Sequence, residues 1–144
     1  RAVLDRYISR FAAKHEALLF DDQKTVDQAL RDYFTAVATC FTSKDTPAGC
    51  FMINTSAALA ASSTDIANTI KSRHAVQEQT LTQFLQQRQQ RGELPAQGNV
   101  LQLAQFLNCV LQGMSISARE GADFATLKQI SDTTLRLWPQ ILQP

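Results

Sequence analysis

Apolar residues recur along this chain at three- and four-residue intervals and nowhere alternate for a useful length, so the pattern predicts helices and no strands. The first helix is expected over about 2–19, with Leu4, Ile8, Phe11 and Leu18 on one stripe and His15 among them. Asp21-Asp22 breaks it. Thr25 then caps a second helix, with Gln28 as its capping-box partner and a stripe of Val26, Leu30, Tyr33, Phe34, Val37 and Phe41. Thr46-Pro47 opens a short third helix over about 48–60. A long fourth follows over about 65–91. Ile66, Ile70, Gln77, Leu81, Phe84 and Leu85 mark its inner side, with His74 beside them. Lys71, Arg73, Glu78, Gln83, Gln86 and Arg88 are expected on a solvated outer face. Gly92 ends that helix and Asn99 caps the fifth. Asp123 caps a sixth over about 124–141, with Leu127, Ile130, Thr134, Leu137 and Ile141 as its stripe. Pro139 should bend or stop it.

The fifth helix, within 99–121, is the most apolar stretch. Leu103, Phe106, Leu107, Val110, Met114 and Ser117 fall on one line, and Leu101, Ala104, Asn108, Leu111 and Ser115 on a second. A helix apolar on two sides must be covered on two sides. One cover is the chain's own core. Gly113, Ser115, Ser117 and Ala118 are small enough to admit another helix closely. The expectation is an all-α fold of six helices that forms a homodimer through the last two. Val110, Gly113, Met114, Ser117 and Ala118 would form that interface with Leu127, Ile130, Thr134, Leu137 and Trp138.

Composition narrows the classes. The 144 residues suit one domain over 1–144, and 44% apolar with 19% charged residues is globular. A net charge of +1 with no basic tract argues against DNA binding by this chain itself. No secretory signal or membrane span is visible. Three cysteines, Cys40, Cys50 and Cys109, are odd in number and far apart, which favours reduced thiols and a cytoplasmic setting. Arg1 begins in the middle of an amphipathic pattern, which reads as a piece of a longer protein.

The chemistry of catalysis is missing. There is no Gly-rich phosphate loop, no Gly-x-Ser-x-Gly, no Cys-x-x-Cys and no His-x-x-x-His, so an enzyme is not expected. A ligand pocket is. Helical domains bind ligands in apolar clefts with a few placed polar groups. The candidates are Phe11, His15, Phe34, Phe41, Met52, Thr55, Gln77, Phe84, Phe106 and Asn108, with Gln112 as a further polar group. For any one Phe, ordinary core is the commoner role. The effector would be a small apolar molecule or a metal. Cys50, near the start of a short helix, is the candidate metal ligand, and soft sulfur makes copper the metal to try first. Cys109, mid-helix in apolar company, is expected to be inert. Buried, unreactive thiols remain the commoner outcome for such residues.

The order of these pieces resembles one family. RAVLDRY resembles the connecting helix of TetR-type transcriptional repressors, and GCFMINTSAALA at 49–60 is similar to their short middle helix. RGEL at 91–94 resembles the turn after their long helix. Leu111-Gln112-Gly113, Ala118-Arg119 and Gly121-Ala122-Asp123 resemble their penultimate helix and the cap of the last. Residues 1–20, 41–52 and 112–122 are also similar to a copper-responsive member. The resemblance implies a regulatory domain that binds an effector, dimerises, and releases operator DNA through an N-terminal helix-turn-helix headpiece absent from these residues. It does not identify the effector. A small helical metal-binding protein or enzyme using Cys and His is the alternative.

Overall fold

The computed structural model of the chain describes residues 13–43 and 64–143. Among the described residues there are helices and no strand. They are α1 (13–19), α2 (Val26–Phe41), α3 (Thr64–Gln90), α4 (Val100–Arg119) and α5 (Phe124–Ile141). The expected short helix at 48–60, and with it Cys50, Met52 and Thr55, lies outside the described residues, as does Phe11.

Local chemistry sets the helix starts. Thr25 Oγ1 accepts from the Gln28 amide at 3.1 Å and Gln28 Oε1 accepts from the Thr25 amide at 3.3 Å, a reciprocal capping box. Asn99 caps α4 through the Gln102 amide at 3.0 Å, and Asp123 caps α5 through the Thr126 amide at 2.9 Å. That bond holds the Asp123 carboxyl below its ordinary range. Gly92 and Gly121 follow α3 and α4 with φ of 82° and 105°, a region L side chains rarely adopt. Pro139 does not stop α5, which runs on to Ile141.

Packing puts α4 in the centre. It touches α3, α5 and α2, and α2 also packs on α5. The core between them includes Leu30 and Phe34 of α2, Leu81 and Leu85 of α3, Leu103 and Leu107 of α4, and Leu127 of α5. The second expected line of α4 is therefore covered within one chain, apart from the exposed Leu101. The first line splits. Leu103, Leu107 and Met114 are buried, while Phe106, Val110 and Ser117 are half-buried on another side. The inner stripe of α5 is also rotated from the expected one. Leu127, Ser131, Thr134, Leu135 and Trp138 are buried, Ile130 is half-buried, and Leu137 is 49% exposed. The Trp138 indole N–H reaches Asp27 Oδ1 on α2 at 3.3 Å, which ties the two helices at one end.

Two arginines expected in solvent are elsewhere. Arg88 is only 2% exposed. Its guanidinium donates to the carbonyls of Lys24 and Asp21 and to Glu93 Oε1 at 2.9 Å, and lies 5.3 Å from the Phe84 ring centre. Arg73 pairs with Glu16 of α1 at 2.6 Å. The planar, five-donor fork of arginine makes such burial tolerable. Arg88→Ala should strand two carbonyls and destabilise the fold by about 3 kcal/mol, with Arg88→Lys recovering only part. Urea unfolding monitored by circular dichroism measures this, and a loss below about 1 kcal/mol for Arg88→Ala would contradict a structural role.

Candidate functional site

Where α3 and α4 meet there is a cleft of about 490 Å³, lined among the described residues by Ala67, Ile70, Lys71, His74 and Gln112. The α3 residues sit three or four apart, so one helix face supplies an apolar floor and two basic side chains. One turn before Gln112 on α4 is Asn108, which is 4% exposed. Its Nδ2 donates to the His74 carbonyl at 3.2 Å, and its Oδ1 is buried with no hydrogen-bond partner. An unmatched buried carbonyl oxygen is costly, so this position is not explained by packing alone.

The electrostatics around the cleft lean positive. Burial, and then the neighbouring Arg73 charge, lower the His74 pKa from its ordinary 6.5, so the imidazole is held neutral. The Glu16–Arg73 pair links α1 to α3. Tyr33 of α2 is buried in reach of the same charges. Desolvation raises its hydroxyl pKa strongly, Glu16 adds to the rise, and Arg73 opposes it.

The expected pocket residues do not form one cluster. His15 is buried on α1. Gln77 is half-buried on α3, one turn past His74. Phe34 and Phe41 are core residues of α2. Phe84 lies further along α3, edge-on to Phe20 at 6.2 Å and beneath Arg88. Phe106 faces a different groove. Of the candidates, Gln112 lines the His74 cleft and Asn108 lies beside it; Ile70 and Lys71 line it too, and the Glu16–Arg73 pair stands next to His74 in the chain. The sequence signal for Arg73 is its three-residue spacing from Ile70, which its charge masks.

A second groove of about 410 Å³ runs along the outside of α4 and α5. It is lined by Phe106, Gln129, Ile130, Thr133, Thr134 and Leu137. The expected interface set divides here. Met114, Ala118, Leu127, Thr134 and Trp138 are buried by the chain's own helices. Val110, Ser117 and Ile130 are half-buried, and Gly113 and Leu137 exposed. A Cβ built on Gly113 would meet nothing within 4 Å.

Cys40 is half-buried and Cys109 is exposed, so the expectation of an enclosed Cys109 is corrected: it lies on the open side of α4. Among the described residues no group of three or more His, Cys, Asp or Glu could hold a metal ion. No described helix is long and apolar enough to cross a membrane.

Comparison with known proteins gives consistent matches. Residues 26–133 match the tetracyclin repressor-like, C-terminal domain family. The chain is 67% identical over 143 residues to the HTH-type transcriptional repressor ComR of Escherichia coli (strain K12), covering 99% of this chain and 68% of ComR. It resembles a cysteine mutant of the TetR family transcriptional regulator CifR, solved in complex with 26-bp double-strand operator DNA. The TM-score is 0.82 at 21% identity, over 96% of this chain and 72% of CifR. A second CifR cysteine mutant with the same length of operator DNA gives a TM-score of 0.81 at 20% identity, over 94% and 70%.

Two outcomes follow from the cleft. The unfolded chain protonates His74 before the folded one does, so its contribution to stability is complete above pH 6.5 and declines as pH falls from there through the lowered folded value. His74→Gln should flatten that part of the stability–pH curve measured by thermal melting between pH 5 and 8, and an unchanged slope would exclude His74 as its source. Asn108→Leu replaces an unmatched carbonyl with apolar volume and should leave stability within about 1 kcal/mol of the original or raise it. A loss of about 3 kcal/mol in urea unfolding would show instead that the amide is needed for the fold.

Proposed function

The chain belongs to the TetR-type transcriptional repressors, as their regulatory C-terminal domain, and on that premise we propose that it senses a small effector in the α3–α4 cleft and dimerises through the outer side of α4 and α5. The observation that carries the sensing role is Asn108 Oδ1, a buried acceptor left without a donor beside a cleft. A bound molecule would supply that donor. The matched family and the 67% identical relative are repressors rather than enzymes by description, and regulation is the expected output.

The transmission route starts at the same place. Arg73 stands beside His74 on α3 and grips Glu16 on α1. An effector that prefers one arrangement of α3 against α1 biases the position of α1 by its differential affinity. In the whole protein, α1 would pass that shift to an N-terminal headpiece and loosen operator DNA, acting in the cytoplasm. The CifR relatives solved on operator DNA are the analogy for this step.

For dimerisation, the support is the surface left by α4. No charged residue occurs from Asn99 to Ala118. Phe106, Val110, Gly113 and Ser117 form a strip outside the core, beside Ile130 and Leu137. A stable interface should bury at least about 1,000 Å² in total.

Light scattering at micromolar concentration should give a mass twice the 16.0 kDa of one chain. Gly113→Leu should give the single-chain mass with unimpaired helicity, because Gly113 has open space around it within the protomer. A dimeric Gly113→Leu variant would move the interface elsewhere. Sensing is checked by hydrogen exchange: a bound effector should protect amides around 70–74 and 108–112, and an effector that protects none of them would place the site outside the cleft.

A further inference from the structure

The cleft's chemistry narrows what it can take. Lys71 lines it, is exposed, and has no carboxylate or other hydrogen-bond partner among the described residues. Next to His74 on α3, Arg73 takes up the carboxylate of Glu16. Even so, the Arg73 charge is felt at His74, where it adds to burial in keeping the imidazole neutral. No carboxylate is among the described residues that line the cleft. The floor, Ala67 and Ile70, is apolar. Behind this lining, one turn from Gln112 and against the His74 backbone, the orphaned Asn108 Oδ1 can only accept.

We propose that the α3–α4 cleft binds a small amphipathic organic anion carrying a hydroxyl or amine donor, with its acid group on Lys71 and its donor on Asn108 Oδ1. This rests on the effector-cleft reading above and adds the ligand class to it. A flexible ammonium at the rim attracts an oxyanion as a point charge without demanding a fixed geometry. The apolar floor takes the ligand's body. The donor satisfies a buried acceptor that folding leaves unmatched, which makes it the discriminating contact: a site built to receive a donor rejects the analogue that lacks one. A cationic ligand would face Lys71 and the residual Arg73 field with no carboxylate to receive it.

The test uses head-group analogues of one chain length: octanoate, 1-octanol, octylamine and 3-hydroxyoctanoate, titrated calorimetrically into the chain. Octanoate should bind about tenfold or more tightly than octanol, with octylamine weakest, and 3-hydroxyoctanoate should exceed octanoate. Lys71→Met, an exposed position, should erase the preference for acid over alcohol. Asn108→Leu should erase the gain from the hydroxyl. Octylamine or octanol binding as tightly as octanoate overturns the proposal, as does a preference that survives in Lys71→Met, or the absence of binding by all four. If the four probes bind alike and Asn108→Leu weakens them all, the anion class fails while the effector cleft stands. If Asn108→Leu changes none of the affinities, the cleft assignment fails as well.

Discussion

A guanidinium has no place in an apolar interior unless its N–H groups find oxygens. Arg88 meets that condition by drawing two separate turns of the chain to itself. The carbonyls of Asp21 and Lys24 come from the α1–α2 turn, and the Glu93 carboxylate from the turn after α3. Phe84 supplies an aromatic face on the same helix. Arg91 adds an exposed pair with Asp22, and Gln89 donates to the carbonyls of Pro95 and Gly98 to shape the rest of the turn. One end of the bundle is thus set by buried polar bonding rather than by apolar packing. The end of α3 is tied by it to the turn that leads into α2 and to the turn that follows α3.

With that end fixed, α4 divides the molecule. Its Leu103, Leu107 and Met114 enter the common core, its Asn108 and Gln112 turn toward α3, and its Phe106, Val110 and Gly113 remain on the outside. Under the proposed function, effector and partner chain would bind opposite faces of one helix. A rigid element with a different ligand on each face is a short physical route for coupling, since a small rotation that suits one face changes the other. The Glu16–Arg73 pair adds a second connection, from the cleft to α1.

Composition also limits what α4 can do with water. From Asn99 to Ala118 its polarity comes only from uncharged side chains. Such a helix can be desolvated on most of its circumference without stranding a charge, which neither α3 nor α5 could be. The charges of α5 instead gather near its start and middle, where Lys128, Asp132 and Arg31 of α2 interact at the surface. Asp132 is held below its ordinary carboxyl range by Lys128 first, then by the other cations.

What the sequence alone determined was local. The helical class, the Thr25, Asn99 and Asp123 caps, the Gly92 and Gly121 stops and most core positions of α2 are all written in residues within a few positions of one another. The ordered set of such pieces was enough to suggest the family. Only the tertiary structure decided which neighbour each helix face meets. Periodicity fixes the angle of a side chain about its own helix axis and says nothing of what stands opposite. So Arg88, spaced like a core residue after Leu81, Phe84 and Leu85, looks solvated from its charge, because its three oxygen partners lie up to 67 positions away. Phe84, Phe106 and Asn108 look alike as pocket residues by spacing, although they meet three different surroundings. The dimer candidates mixed residues covered by the chain's own core with residues left outside it, since an apolar side chain carries no mark of which apolar surface it will cover.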